Sequence, residues 1–341
     1  MTRQALYFIA PRRVEVRTED LEEPNYGQVL VKSLISGISP GTESLIYRGQ
    51  APRDLVMDET IAALAGDFTF PLKYGYSVVG QVTALGPGVA RDWQGRPVFA
   101  FHPHESHFLA TPDELLPLPP EVSVEDAVFF PNMETAVTLL LDGQPLMGEQ
   151  VAVFGQGIVG LLLTGLLARW PLASLVTLDL HPRRRLASET LGAHASLDPA
   201  APDVQEKLLS LLQGPRPYPG ADLTYEISGN PTALDQAIAA TGFSGRVVIG
   251  SWYGRKRADL QLGGRFHRSR MRLISSQVSS IAPELTGRWN KTRRYHLAWQ
   301  MLRELNPARF ITHRFSILQA AQAYELIDQN PGEVIQVILT Y

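Results

Sequence analysis

The sequence predicts an α/β fold in which a β-rich domain accompanies a doubly wound, six-stranded parallel sheet. Three observations predict it. Val151-Ala-Val-Phe154 reads as a buried strand and runs straight into glycines at 155, 157 and 160, with an apolar helix-like stretch, Leu161 to Trp170, directly behind. Residues 1 to about 130 read as strands and turns, whereas from about 132 strands alternate with helices. The chain then closes on a strand-like run, Val334 to Tyr341, so the tail is expected to return to the first domain.

In order along the chain, Met1 to Ala10 reads as a first strand. Gln28–Ile35, Ser77–Ala84 and Pro97–Phe101 read as further strands, punctuated by Pro24-Asn25, Gly86-Pro-Gly88 and the turn at 92–95. Residues 43–48 suit one short helix, and 51–71 is irregular and suits a pocket wall. After the glycine run, strands are expected at 174–179, 195–197, 221–227, 246–250 and 272–276, with helices at 182–191, 203–213 and 231–240. Counting 151–154, that makes the six strands of a full Rossmann sheet. In the tail, Leu297, Met301 and Leu305 share a helix face within 293–305; a strand at 310–315 and a helix at 318–328 follow. The expected domains are 1–131 with 280–341, and 132–279.

The glycine run is a dinucleotide fingerprint in the context that gives it meaning, strand then turn then helix. Gly155 permits the tight turn, Gly157 the approach of a pyrophosphate, and Gly160 close helix–strand packing. Gln156, Ile158 and Val159 complete the loop whose N–H groups meet the phosphates at the helix N-terminus. Asp179 ends the next strand 24 residues after Gly155, where a carboxylate accepts a ribose hydroxyl. It favours NAD over NADP, because it repels a 2′-phosphate. Arg184, with Arg183 and Arg185, argues the other way. Ser228 and Gly250 follow two later strands and complete the expected cofactor residues.

Composition excludes several classes. A net charge of −3 leaves no footprint for nucleic acid or an anionic membrane. The absence of cysteine excludes disulfides, thiolate catalysis and thiolate metal sites. No stretch approaches the ~20 apolar residues of a membrane span, and a soluble cytoplasmic protein acting on a small molecule is the expectation.

Ser36-Gly-Ile-Ser-Pro-Gly-Thr-Glu43, Tyr74-Gly-Tyr-Ser-Val-Val-Gly80, Gly86-Pro-Gly-Val89, Gly148 to Gly157, Ile311-Thr-His-Arg-Phe315 and the terminal Ile-Leu-Thr-Tyr together resemble the medium-chain dehydrogenase/reductase superfamily over nearly the whole chain. The resemblance implies a GroES-like β-rich catalytic domain, a Rossmann domain, nicotinamide in the cleft between them, and a homodimer joined through the edge strand at 272–276. Many members hold a catalytic zinc through Cys, His and Cys. Here those positions match Ser39, Tyr76 and the Pro131–Asn132 step, and the family's phosphate-binding Arg matches Gln336. No zinc is therefore expected. Ser for Cys and Gly-Tyr for Gly-His are similar to the bacteriochlorophyllide dehydrogenase-like branch.

Without a Lewis acid, a side chain must handle the substrate oxygen. Tyr76, at the family's zinc-binding His, is a hydrogen-bond donor candidate. Its alternative is a pocket-lining aromatic. His102 suits proton exchange near neutrality. With His104 and His107 it forms either that site, a solvated loop, or a metal cluster completed by Glu134. Thr42 matches a hydroxyl that relays protons. Glu134 either orients Tyr76 or a water, or charges the first turn of a helix. The leading expectation is zinc-independent, NAD(P)-dependent interconversion of an alcohol and a carbonyl. Reduction of a conjugated C=C and a non-catalytic NAD(P)-binding protein are the alternatives.

Overall fold

A computed structural model describes residues 1–52, 54–212 and 219–341. The chain divides into two compact units, 1–131 with 302–341, and 132–301.

The first unit opens with a hairpin of β1 (Thr2–Ala10) and β2 (Arg13–Asp20). The long strand β3 (Val29–Ile38) then pairs antiparallel with β4 (Val78–Leu85), which continues to β5 (Pro97–Ala100); β6 (His107–Ala110) pairs with β3, and β7 (Leu115–Pro117) with β5. Val29, Val31, Val78, Val82 and Val98 alternate onto one buried face, the period-2 signature of a half-buried sheet. Between β3 and β4 lie the short helix α1 (Thr42–Tyr47) and the irregular segment expected at 51–71. Leu64, Phe68 and Leu72 from that segment are buried in a cluster with Ile46, Tyr47, Phe8 and Tyr324. It is thus part of the unit's core as well as a candidate wall. Helix α2 (Val124–Ala127), capped by Ser123, leads into α3 (Phe130–Gly143).

The second unit carries a parallel sheet in the order β10 (Ala195–Leu197), β9 (Ser174–Leu178), β8 (Gln150–Phe154), β11 (Ala221–Glu226), β12 (Thr241–Ile249), β13 (Arg272–Ser275). This is the doubly wound order, with the reversal of direction between β8 and β11, where ligands bind at the carboxyl ends of strands. Helices α4 (Ile158–Leu167), α5 (Pro182–Thr190), α6 (Val204–Leu211) and α7 (Pro231–Ala240) connect the strands. Residue 213, the end of the helix expected at 203–213, lies outside the described residues. Helix α8 (Lys291–Leu305) follows β13.

Residues 280–301 cluster with the second unit, not with the first as expected. Within that unit, the fully buried Arg294 of α8 forms an ion pair with Glu134 of α3, and its Nη1 lies 3.1 Å from Thr138 Oγ1 and 3.3 Å from the Ser280 carbonyl. The tail then supplies β14 (Ile311–Ser316), α9 (Ala320–Gln329) and β15 (Gln336–Thr340). Strand β15 pairs parallel with β14 and antiparallel with β3, so the tail extends the first unit's sheet.

Candidate active site

In the second unit, the expected cofactor residues gather at the carboxyl ends of four strands. Gly155 follows β8 with φ +99°, and a Cβ there would lie 2.7 Å from the Ser228 backbone. A Cβ on Gly160 would lie 2.1 Å from the Gly155 carbonyl oxygen. Gly157 faces open space, and it begins α4 with no side chain capping the helix. The first-turn N–H groups, which have no partner inside a helix, are thus left for an anion beside the one glycine that leaves room for it. Ile158 and Gly160 are buried, while Gly157 and Val159 are partly exposed. These residues fit a dinucleotide.

Gln156 departs from the expected picture. Its side chain is buried, accepting from Thr164 Oγ1 at 2.9 Å and donating to the Gly155 carbonyl at 3.0 Å. Its N–H is bound by Asp179 Oδ2 at 2.8 Å. Asp179 is therefore fixed against the glycine loop, with His181 N–H on its other oxygen at 2.9 Å and Arg184 3.8 Å away. Arg185 donates to the Asp179 and Leu180 carbonyls, and Arg183 is exposed. Ser228 is held by Glu226, which also accepts from the Tyr253 hydroxyl. Gly250 is closely packed, since a Cβ would lie 2.6 Å from Leu139 Cδ2 and 2.9 Å from Ile227 Cγ2.

In the first unit, the Tyr76 hydroxyl donates to Ser39 Oγ at 2.6 Å, and Thr42 Oγ1 lies 3.5 Å away. Burial pushes the Tyr76 phenol above its usual value, with the Ser39 and Thr42 hydroxyls opposing. It stays protonated near neutrality and acts as a donor. Around it are Tyr74, edge-on at 6.1 Å between ring centroids, and the apolar cluster of Phe68, Leu64 and Leu72.

Two other candidates have different surroundings. The His102 ring stacks on Phe108 with centroids 4.0 Å apart, and its Nδ1 faces the Pro103 carbonyl at 3.2 Å. Burial pulls its pKa down to about 3, so it is neutral near pH 7 and carries no exchangeable proton charge there. Glu134 belongs to the second unit, where its carboxylate is committed to Arg294.

His104 carries the interaction that the sequence did not single out. It is fully buried, with Nε2 3.1 Å from Glu43 Oε2 and Nδ1 2.7 Å from Ser36 Oγ. Ser36 Oγ lies 2.7 Å from the Tyr341 hydroxyl, and Tyr324 donates to Glu43. Glu43 was visible in the motif Ser36 to Glu43, but nothing in a single sequence says that this carboxylate is buried. As for a metal, the described residues contain no group of three His, Asp or Glu side chains placed to hold one. Ser39 and Tyr76 offer mutually bonded hydroxyls rather than thiolate or imidazole, donors that do not fit zinc.

No protein-family model matches the chain. It is similar to (R,R)-butanediol dehydrogenase of Bacillus subtilis, 28% identical over 69% of this chain and 74% of that protein. It also matches 5-exo-hydroxycamphor dehydrogenase of Pseudomonas putida, 25% identical over 98% of each chain. An uncharacterized zinc-type alcohol dehydrogenase-like protein of Escherichia coli is 24% identical, again over 98% of each. Among solved structures, 2R,3R-butanediol dehydrogenase from Bacillus subtilis superposes with a TM-score of 0.80 at 18% identity, covering 99% of both chains. A dehydrogenase from Escherichia coli CFT073, solved with NADH, gives 0.78 at 18% identity over 100% of this chain and 99% of that one.

Proposed function

We propose that this chain, an NAD(P)-dependent oxidoreductase of the medium-chain dehydrogenase/reductase superfamily, interconverts an alcohol and a carbonyl without zinc. The observation that carries the reading is the 2.6 Å hydrogen bond from Tyr76 to Ser39, which puts a protonated phenol where relatives of the zinc type have a metal ligand.

Bound NAD(P) supplies the hydride acceptor or donor. Gly155, Gly157 and the first-turn N–H groups of α4 would hold its pyrophosphate, and Asp179 its adenosine ribose. The acid at 179 supports NAD, since Arg184 is already matched by that carboxylate and Arg185 by carbonyls. Tyr76 holds a proton at Oη and donates it to the substrate oxygen as negative charge grows there. The Ser39 and Thr42 hydroxyls then donate to Tyr76 Oη, spreading that charge over three oxygens. The oxidation direction is the reverse: the alcohol proton passes to Tyr76 Oη only after the phenol has lost its own proton to solvent, and the raised pKa of the phenol therefore favours carbonyl reduction. A fixed donor of this type in a water-poor site contributes the largest share of stabilisation in many enzymes.

The same residues support a zinc-free branch, and a homodimer through the β13 edge is the family arrangement that sedimentation would test. Turnover should be assayed with NADH or NAD against ketones, aldehydes, alcohols, enones and quinones, before and after dialysis against a chelator. Carbonyl or alcohol turnover that survives the chelator is expected. Turnover confined to enones or quinones would move the protein to reduction of conjugated C=C bonds, and stoichiometric zinc lost together with activity would overturn the metal-free claim.

A further inference from the structure

We propose that the buried Glu43–His104 pair is the positioning device that sets both halves of the Tyr76–Ser39 hydrogen bond. The proposal rests on the reading of Tyr76 given above and deepens it.

Glu43 grips Ser39 at both backbone polar groups. The Ser39 N–H donates to Glu43 Oε1 at 2.8 Å, and the Glu43 N–H donates to the Ser39 carbonyl at 3.0 Å. Two reciprocal bonds fix the orientation of Ser39 just before α1, where the N-cap position, Gly41, offers no side chain of its own. The other carboxylate oxygen is occupied by Tyr324 and His104. A fully buried carboxylate needs such partners, and three donors from three different segments leave it one position.

His104 serves the other half. Its backbone N–H reaches the Tyr74 carbonyl at 3.4 Å, and its ring lies under Gly75, where a Cβ would meet Cδ2 and Nε2 at 2.8 Å. Gly75, at φ +127°, is the residue before Tyr76. The imidazole thus sets the height of the turn that presents the phenol, while its Nε2 holds the carboxylate that presents Ser39. Ser36 and Tyr341 lock the ring from behind. Donor and acceptor of one hydrogen bond are referred to a single buried pair.

The test uses the full-length protein with carbon-13 at tyrosine Cζ, the Tyr76 resonance being assigned from Tyr76→Phe. Glu43→Ala removes the grip on Ser39; Glu43→Gln, a milder change that keeps one acceptor, serves if the alanine variant fails to fold. We expect the Tyr76 resonance to move in the same direction as it does in Ser39→Ala. Movement of Tyr324 and Tyr341 alone, with Tyr76 unmoved, would overturn the proposal. On a substrate found by the assay above, the Glu43 variant should lose about 10- to 100-fold in kcat, with the NADH dissociation constant within about twofold. Tyr76→Phe added to that variant should then cost less than about threefold more, because both changes remove one interaction. Losses that multiply in full would contradict it. If Tyr76→Phe alone leaves turnover intact, the catalytic reading of Tyr76 fails, while the resonance shifts still decide the positioning claim.

Discussion

Glu134→Ala separates a catalytic carboxylate from a structural one. The Arg294 guanidinium is fully buried, and Glu134 is its carboxylate partner in the second unit. The remaining contacts of its Nη1, Thr138 Oγ1 at 3.1 Å and the Ser280 carbonyl at 3.3 Å, carry no formal charge. Removing one member of a buried pair leaves an uncompensated charge and costs about 3–5 kcal/mol. Losing the pair also removes the ion pair that ties α8 to α3. At about 2–4 °C per kcal/mol for a domain of this size, the melting temperature should fall by about 10 °C. Urea and thermal unfolding followed by circular dichroism measure both quantities. A double variant, Glu134→Ala with Arg294→Met, should regain most of the loss, because an apolar side chain of similar length needs no counter-charge. Kinetics at low temperature should show kcat within about threefold of the parent. A Glu134→Ala protein within about 0.5 kcal/mol of the parent, yet strongly impaired in turnover, would refute this reasoning.

Two further outcomes follow from the same structure. The folded pKa of His102 is about 3, below its ordinary 6.5, so between those values the unfolded chain binds a proton that the folded one does not. Stability therefore falls as pH drops through that window, by about 2 kcal/mol from this residue at pH 5. His102→Phe should flatten urea midpoints between pH 7 and 5, and an unchanged slope would count against a neutral buried imidazole. Gly160→Ala places a methyl 2.1 Å from the Gly155 carbonyl oxygen, which must push α4 away from the loop. NADH binding, read by fluorescence, should weaken by at least about tenfold, and unaltered binding would show that the loop is not the phosphate cradle.

The second unit was the more legible in the sequence. Parallel strands buried on both faces leave uninterrupted apolar runs such as Val151 to Phe154, and the glycine spacing marks where backbone must approach a ligand. Gly155, Gly157 and Gly160 have three different surroundings in the structure. Even there, Gln156 turned inward to Thr164, because spacing reports backbone and not rotamer. The first unit was read more coarsely. Strand β6, His107–Ala110, is only four residues long and opens on a histidine, and it passed for a loop. The three histidines around it look alike in sequence, yet only tertiary pairing makes His104 the partner of Glu43 and leaves His102 stacked on Phe108. The same limit applies to Glu134. Its partner Arg294 is 160 residues away, and no local pattern announces that pairing.

The measurement that bears most directly on the account is the comparison of Tyr76→Phe with the parent, on whichever carbonyl substrate turns over. Deleting this hydroxyl removes the donor at the substrate oxygen while the ring, its contacts with Tyr74 and the dinucleotide loop remain. The account predicts a fall in kcat of about 10²-fold or more, with an unchanged NADH dissociation constant and melting temperature. Full retention of kcat in the phenylalanine protein would contradict it.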